Sequence, residues 1–412
     1  MGTNMDALME RDSAVSQHRP GVVASLVMNK KLEEPLIPVP LKLDLDYLDQ
    51  LLAYCIENKV TDLSLQNGDK IIIVAGGNLY RFGDRKFYLS EIQDLLGALV
   101  NDPNAAMEIA RAEPRDFNYI VSRGLKKPVR FRCCATGCLA PGGGDGIEII
   151  FRPTGKDIPT HEQLGIEQYI VENSQPDSGI VIVTGPTGSG KTTLLDSLLR
   201  RNLTGYPAKR IITYYAPIEN DLNDIPGITG QVIQSDIGRA GHGAHIKEWY
   251  LAVRNMLRRH PDQVVFGEAR DRETIDGAVM ASMSAHTTYT TSHTSSVHMT
   301  IPRMVDAFPA NERIRITNAL IDNCRLIVHQ RLLRNKDGHG LVAIRSALAF
   351  NQDIRHELLR SSIDKVPLLI KEATEQQGLS LLKSAEAQFK LGNIDESTLY
   401  AVERELKSEF LG

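Results

Sequence analysis

The run Ile180-Val181-Ile182-Val183-Thr184, followed at once by Gly185-Pro186-Thr187-Gly188-Ser189-Gly190-Lys191-Thr192, constrains the fold of this chain more than any other stretch. The last eight residues fit G-x-x-x-x-G-K-[ST] without a mismatch. The apolar run before them predicts a buried strand. Thr193-Leu194-Leu195-Asp196-Ser197-Leu198-Leu199 after them predicts the start of an amphipathic helix. In that order, the glycines let successive backbone N–H groups of residues 185–190 curl round phosphates. The helix N-terminus, with Thr193 in its first turn, adds its positive dipole end. Lys191 is expected to reach the β- and γ-phosphates, and Thr192 to ligate Mg2+. A chance match has odds on the order of one in a hundred at average composition, and the flanking elements lower them. ATP and Mg2+ are therefore the expected ligands.

The 412 residues exceed one ordinary core and predict two domains. Residues 1–40 mix Pro, Ser and charge and read as a flexible arm. Residues 41–152 read as a small α+β domain. They hold a helix near Leu45–Asn58, short strands near Asp62–Gln66, Lys70–Ala75 and Leu79–Phe82, and a helix near Ser90–Val100. Later strands are expected near Phe117–Ser122, Val129–Ala135 and Gly146–Phe151. Residues 153–159 are rich in Pro and read as a linker. Beyond them, apolar strands at Gly179–Thr184, Arg210–Tyr215, Gln263–Phe266, Tyr289–Ser292, Leu326–Gln330 and Gly340–Ala347 alternate with helices. That is the mark of an α/β fold with a parallel sheet covered on both faces. Residues 160–412 form this ATPase domain, ending in charged helices.

Composition narrows the function classes. The balance of 47 basic against 51 acidic residues argues against a nucleic-acid coat, and no direct nucleic-acid binding is expected. No apolar run approaches the roughly 20 residues needed to cross a bilayer, and the start lacks a signal-peptide pattern. The expected location is cytoplasmic, or peripheral on a membrane's cytoplasmic side. The five cysteines show no regular pairing. Cys133 and Cys134 are adjacent on a predicted strand, so they point to opposite faces and are read as ordinary buried thiols rather than a zinc site.

Glu268 follows the apolar strand Gln263–Phe266, and chemistry in open α/β sheets sits beyond the carboxyl ends of strands. It is placed to hold the Mg2+ shell or the attacking water. Many phosphate-loop proteins have Asp before this Glu, but here the residue is Gly267. Asp262, at the other end of the strand, reads as a turn residue. Glu219 follows the strand Arg210–Tyr215 and admits two readings, a water-orienting carboxylate or a solvated loop glutamate. His286 and His293 bracket Thr287–Ser292. His293 is expected to be buried near the same sheet edge, where it senses the γ-phosphate or is merely structural. Seven residues of strand separate the two rings too widely for one metal.

These motifs, in this order, resemble the PilT-type secretion ATPase superfamily. The likeness is carried by Thr213–Glu219, Pro261–Thr274, His286–His293, Pro159–Gly165 and Gln330-Arg331-Leu332-Leu333, which span about Val60 to Phe350. Val253–Arg259 and Gln234–Ile237 look closer to DotB and conjugal TraJ proteins than to pilus-retraction PilT, and the retraction motif near the PilT C-terminus is not evident. The resemblance implies a PAS-like N-terminal domain, a RecA-like C-terminal domain and a homo-hexameric ring. It assigns Glu219 to the acidic box as general base and Glu268 to the Walker B position. His293 falls in the histidine box, with His286 at its start. Arg130 and Arg132 match the family's Arg-Phe-Arg pattern and are either fingers to a neighbour's phosphates or salt-bridge and surface residues; Arg254, Arg258 and Arg270 share that ambiguity. The chain departs from the family at Tyr215 and Ala216, where further acidic residues usually stand. The implied function is a motor for type IVB secretion or plasmid conjugation, partnered by inner-membrane components. The alternatives are a pilus retraction or assembly ATPase and a nucleotide-gated adaptor with little hydrolysis.

Overall fold

The computed structural model describes residues 22–23, 38–75, 78–122, 125, 128–154, 157–238, 244–337 and 340–408. Most of the expected arm and part of the expected linker lie outside them. Within the arm, β1 (Val22–Val23) lies antiparallel against the late strand Leu341–Ala349.

The first half holds α1 (Leu45–Glu57), β2 (Asp62–Gln66), β3 (Ile71–Ala75), β4 (Asn78–Phe82), α2 (Leu89–Val100), α3 (Ala105–Ala110), β5 (Arg115–Val121), β6 (Val129–Leu139) and β7 (Asp145–Pro153). The six strands make one antiparallel sheet, ordered β4-β3-β2-β7-β6-β5. Asp44 starts α1 by accepting the Tyr47 N–H at 2.8 Å, an N-cap of about 1 kcal/mol. Leu48, Leu51, Leu52 and Cys55 recur on one face of α1 and are all buried. Ile71, Ile73 and Ala75 alternate inward on β3 against the same core. The thiol cluster differs in part from expectation: Cys133 is buried, whereas Cys134 and Cys138 are only half-buried. Among the described residues no group of His, Cys, Asp and Glu is arranged to hold a metal ion.

The second half holds α4 (Gln168–Asn173), β8 (Gly179–Thr184), α5 (Lys191–Thr204), β9 (Arg210–Tyr215), β10 (Gln231–Asp236), α6 (Trp249–Met256), β11 (Gln263–Phe266), α7 (Arg272–Met283) and β12 (Thr287–Ser292). It continues with α8 (Thr300–Val305), α9 (Arg313–Asn323), β13 (Cys324–Arg334), β14 (Leu341–Ala349), α10 (Gln352–Arg360), α11 (Val366–Gln377), α12 (Leu381–Lys390) and α13 (Glu396–Ser408). The sheet order is β1-β14-β13-β8-β12-β11-β9-β10. From β13 to β10 every neighbouring pair is parallel, while β14 returns antiparallel as a hairpin partner of β13. The RecA-like α/β reading thus holds, with an antiparallel edge that the apolar pattern of β13 and β14 did not distinguish. β10 was not expected as a strand: it is an edge strand with a polar, half-exposed sequence, QVIQSD.

Core residues follow the two sheets. One hydrophobic cluster runs from Leu43 to Phe151, and the clusters around the parallel sheet begin at Ile158. β8 is central and wholly buried, each of its aliphatic side chains stabilising by about 1.5–3 kcal/mol. Its carboxyl end therefore presents a rigid edge. No helix among the described residues is long and apolar enough to cross a membrane.

Candidate nucleotide site

The phosphate loop leaves β8 at Thr184 and enters α5 at Lys191. Gly185 has a φ of 148°, and a Cβ there would overlap the Gln330 carbonyl and approach Ser189 Oγ to 2.7 Å. Gly190 has a φ of 79° at the N-cap of α5. Only glycine takes these conformations without strain. Pro186, Thr187 and Gly188 are exposed at the loop's crown, Ser189 is buried, Thr192 is half-buried in the first helical turn, and Thr193 is exposed.

A buried network fixes the loop from below. Gln330 Nε2 donates to the Ser189 carbonyl at 2.6 Å, and Gln330 Oε1 accepts from Arg345 Nε at 2.7 Å. Arg345, 1% exposed, also donates to Glu167 Oε2 at 3.0 Å and to the carbonyls of Leu164 and Gly165. Gln330 and the end of the Pro159–Gly165 segment, both noted in the sequence, thus meet in one network. Arg345 itself carried no sequence signal, because an Arg in an apolar strand looks like an edge residue.

Lys191 is 8% exposed and its three ammonium protons have three acceptors: Gly185 O at 2.9 Å, Pro186 O at 3.0 Å and His293 Nδ1 at 3.3 Å. Burial pulls its pKa below the usual lysine value, while the carboxylates of Glu268 and Glu219 oppose that shift. Because an ammonium only donates, His293 Nδ1 is the acceptor and Nε2 carries the ring proton. Nε2 then faces Glu268 Oε1 at 3.4 Å. Lys191, His293 and Glu268 thus form a line across the carboxyl ends of three adjacent strands. His293 is exposed, not buried as expected, since the ladder ends at the Ser292–Thr184 pair and His293 lies one residue beyond it.

Thr291 places Glu268. Its hydroxyl donates to Gly267 O at 2.7 Å, and its carbonyl accepts the Ala269 N–H at 2.8 Å. The backbone is therefore clamped on both sides of the carboxylate, which remains 39% exposed. Asp262 behaves as the turn residue expected, its Oδ2 accepting the Arg210 N–H at 2.7 Å. His286 lies at the amino end of β12, with the strand between it and His293, and takes no part in the site.

Glu219 is half-buried and lies on the loop after β9. The loop is held by Asp236 at the end of β10, whose Oδ1 accepts the Ile218 N–H at 2.6 Å. The other oxygen of Asp236 accepts from Asn118 at 3.3 Å and faces Arg130 Nη1 at 3.4 Å, both from the antiparallel sheet. Arg130 is thus paired with Asp236 and not with the phosphate loop of its own chain. Arg132, two residues on, is exposed. Arg270 sits 3.6 Å from Asp271, while Arg254 and Arg258 border a basic surface hollow with Lys247.

Sequence reasoning missed Asp196. It is 2% exposed beneath the Glu219 loop, with Oδ2 accepting from Asn220 at 2.6 Å and Oδ1 facing Tyr215 Oη at 3.5 Å. Burial pushes its pKa up to about 7, and Glu219 adds to the rise, while the hydrogen bonds from Asn220 and Tyr215 oppose it. A lone Asp one turn into a helix reads as a solvated face, and only the packing of β9 reveals otherwise.

The donor set suits a triphosphate: loop amides, one buried ammonium, and a hydroxyl and a carboxylate, Thr192 and Glu268, of the oxygen type that Mg2+ prefers.

The family model described as "Type II/IV secretion system protein" matches residues 162–362. The type IV pilus retraction ATPase PilT of Pseudomonas aeruginosa is 31% identical over 320 residues, covering 77% of this chain and 86% of PilT. The X-ray structure of the ATPase DotB of Legionella pneumophila superposes with a TM-score of 0.81 at 30% identity, covering 91% of this chain and 100% of DotB. A crystal structure of the pilus retraction motor PilT with bound ADP gives 0.70 at 25% identity, covering 87% and 96%. With a phosphate loop, an acidic loop and a histidine box converging on one sheet edge, this chain belongs to the type II/IV secretion system family as a PilT-like secretion ATPase.

Proposed function

We propose that the chain is one subunit of a homo-hexameric ring that hydrolyses ATP with Mg2+ and energises a type IVB secretion or plasmid-conjugation apparatus at the inner face of the bacterial inner membrane. The observation that carries the catalytic part is the line Lys191–His293–Glu268 above the phosphate loop. The similarity to Legionella DotB supports the choice of machine.

In this reading Lys191 exchanges the carbonyls of Gly185 and Pro186 for phosphate oxygens when ATP enters. His293, released from Lys191, is placed to register the γ-phosphate. Glu219 orients the attacking water and takes its proton. Thr192 and Glu268 would hold Mg2+, which would supply neutralisation of phosphate charge. Arg130 and Arg132 reach a neighbouring subunit's phosphates once the two sheets shift. Ring closure on ATP and reopening after hydrolysis supply the movement passed to inner-membrane components. No nucleic acid is bound directly.

A second reading, a pilus retraction or assembly motor, draws on the 31% identity to PilT over most of that protein. A third, a nucleotide-gated adaptor, draws on Tyr215 and Ala216 standing where acids are usual. Phosphate release from Mg-ATP, measured on the assembled ring, tests the motor readings together. Turnover in the wild type and its loss in Lys191→Ala are expected. A ring that assembles by light scattering yet releases no phosphate leaves only the adaptor.

A further inference from the structure

Helix α5 turns Leu194, Leu195, Leu198 and Leu199 into the core of the parallel sheet, and all four are buried. Asp196 lies among them and is 2% exposed. A carboxyl group in such a position costs free energy unless it is hydrogen-bonded, and packing alone calls for another aliphatic side chain. Its partners show what it serves. Oδ2 accepts from Asn220 Nδ2 at 2.6 Å, and Oδ1 accepts from Tyr215 Oη at 3.5 Å. Tyr215 ends β9, and Asn220 directly follows Glu219. Asp196 therefore holds the Glu219 loop at its start and just past the carboxylate.

Two further side chains hold the same loop, both from β10. Asp236 Oδ1 accepts the Ile218 N–H at 2.6 Å. Gln234 Nε2 donates to the Asn220 carbonyl at 3.0 Å, and its Oε1 accepts the Leu222 N–H at 2.7 Å. These bonds fix the loop to its neighbouring edge strand. Of the three anchors, Asp196 is the one that ties the loop to the helix leaving the phosphate loop. Thr192 and Asp196 are four residues apart on α5, and so lie on one face, one turn from each other. One turn of helix and one short hydrogen bond thus connect Thr192 to the residue beside Glu219.

We propose that Asp196 is a positioning residue for hydrolysis, which holds Glu219 in line with the nucleotide through Asn220. The proposal deepens the proposed function and rests on its assignment of Glu219 as general base. Displacing a water-orienting carboxylate by about 1 Å can lower a rate about a hundredfold. Nucleotide binding draws instead on Lys191 and on loop amides that are anchored separately through Gln330.

Asp196→Ala and Asn220→Ala should each lower kcat for phosphate release from Mg-ATP by about ten- to a hundredfold. Fluorescent ADP should still bind both variants within about twofold of the wild-type affinity. Asp196→Asn keeps an acceptor for Asn220 and should restore most of the lost turnover. In a Glu219→Gln background Asn220→Ala should add little, because the carboxylate being positioned is gone. Thermal melting establishes that each variant is folded; if Asp196→Ala is not, Asn220, half-buried on the loop, carries the test. A wild type without turnover, or Glu219→Gln with undiminished turnover, would sink the reading of Glu219 and the proposal together. Turnover lost in Glu219→Gln but kept in Asn220→Ala would overturn the proposal alone. So would an Asn220→Ala loss that is matched in ADP affinity, or one that persists in full in the Glu219→Gln background.

Discussion

The ring of Tyr215 occupies the space that any side chain at Gly267 would need. A Cβ built on Gly267 would lie 2.9 Å from Tyr215 Cε1 and closer still to Cδ1. The aromatic residue in the acidic box and the glycine before Glu268 are therefore one steric fact at the ends of the adjacent strands β9 and β11.

The consequence is a compensating pair. Gly267→Asp alone should destabilise the fold by about 1–3 kcal/mol through overpacking, read as a lowered Tm. Tyr215→Ala combined with Gly267→Asp should recover part of that loss. A single variant as stable as the wild type would show that the two sites are not in contact.

His293 joins Lys191 to Glu268, so the three should separate in kinetics. Lys191→Ala removes phosphate binding and should abolish nucleotide affinity in a fluorescent-ADP titration. Glu268→Gln keeps the loop clamp from Thr291 and should retain that affinity, while turnover falls by about a hundredfold or more. Equal loss of binding in both variants would contradict the division of roles.

The parts of this site carried by local sequence were legible in advance. Residues 179–192 predict strand, loop and helix without help from the rest of the chain, and the positions of Glu219, Glu268 and His293 follow from where apolar strands end. What was not legible depends on side chains meeting across the sheet. Arg345 reaches Ser189 only through Gln330, Asp236 joins two sheets, and Asp196 is acidic only in composition until β9 covers it. β10 escaped because an edge strand is exposed on one side and need not be apolar.

Asp196 gives a pH dependence with a definite sign. Its folded-state pKa, about 7, lies above the ordinary carboxyl value near 3.9. The folded chain therefore holds this proton where the unfolded chain has released it. That contribution to stability is complete below about pH 4 and is lost as pH rises toward 7 and beyond. Asp196→Asn can still accept from Asn220 but has nothing to ionise. Its stability relative to the wild type should rise between pH 5 and pH 8, on the order of 1–3 kcal/mol, in denaturant titrations at each pH. A difference that stays flat across this range would mean that Asp196 is already ionised in the folded chain.

Arg345 should be needed for its planar fork and not only for its charge. It is 1% exposed and serves Gln330, Glu167 and two carbonyls at once. Arg345→Met leaves Glu167 without its cation and should cost about 3–5 kcal/mol. Arg345→Lys should recover little of this, because an ammonium cannot span the same acceptors. Gln330→Ala is milder: it frees the Ser189 carbonyl and should raise KM for ATP more than it lowers Tm. Full recovery by Lys would reduce the role of Arg345 to charge alone.

Arg130 poses the sharpest choice, since one residue is asked to serve two partners. In the resting chain it faces Asp236 Oδ2, while Asp236 Oδ1 holds the Ile218 N–H next to Glu219. Asp236→Asn separates these roles: its amide oxygen still accepts from Ile218, but the ion pair to Arg130 is gone. If Arg130 also reaches a neighbour's phosphates in the ring, Arg130→Ala should lower kcat steeply, arginine fingers contributing about a thousandfold or more. Asp236→Asn should then change kcat by only about twofold, because it frees the same guanidinium without removing it. Steady-state phosphate release on both variants, assembled as rings, decides the matter. A matched loss in the two would assign Arg130 to the ion pair between the sheets, and the finger would have to be sought at Arg132, which stands exposed on the same strand.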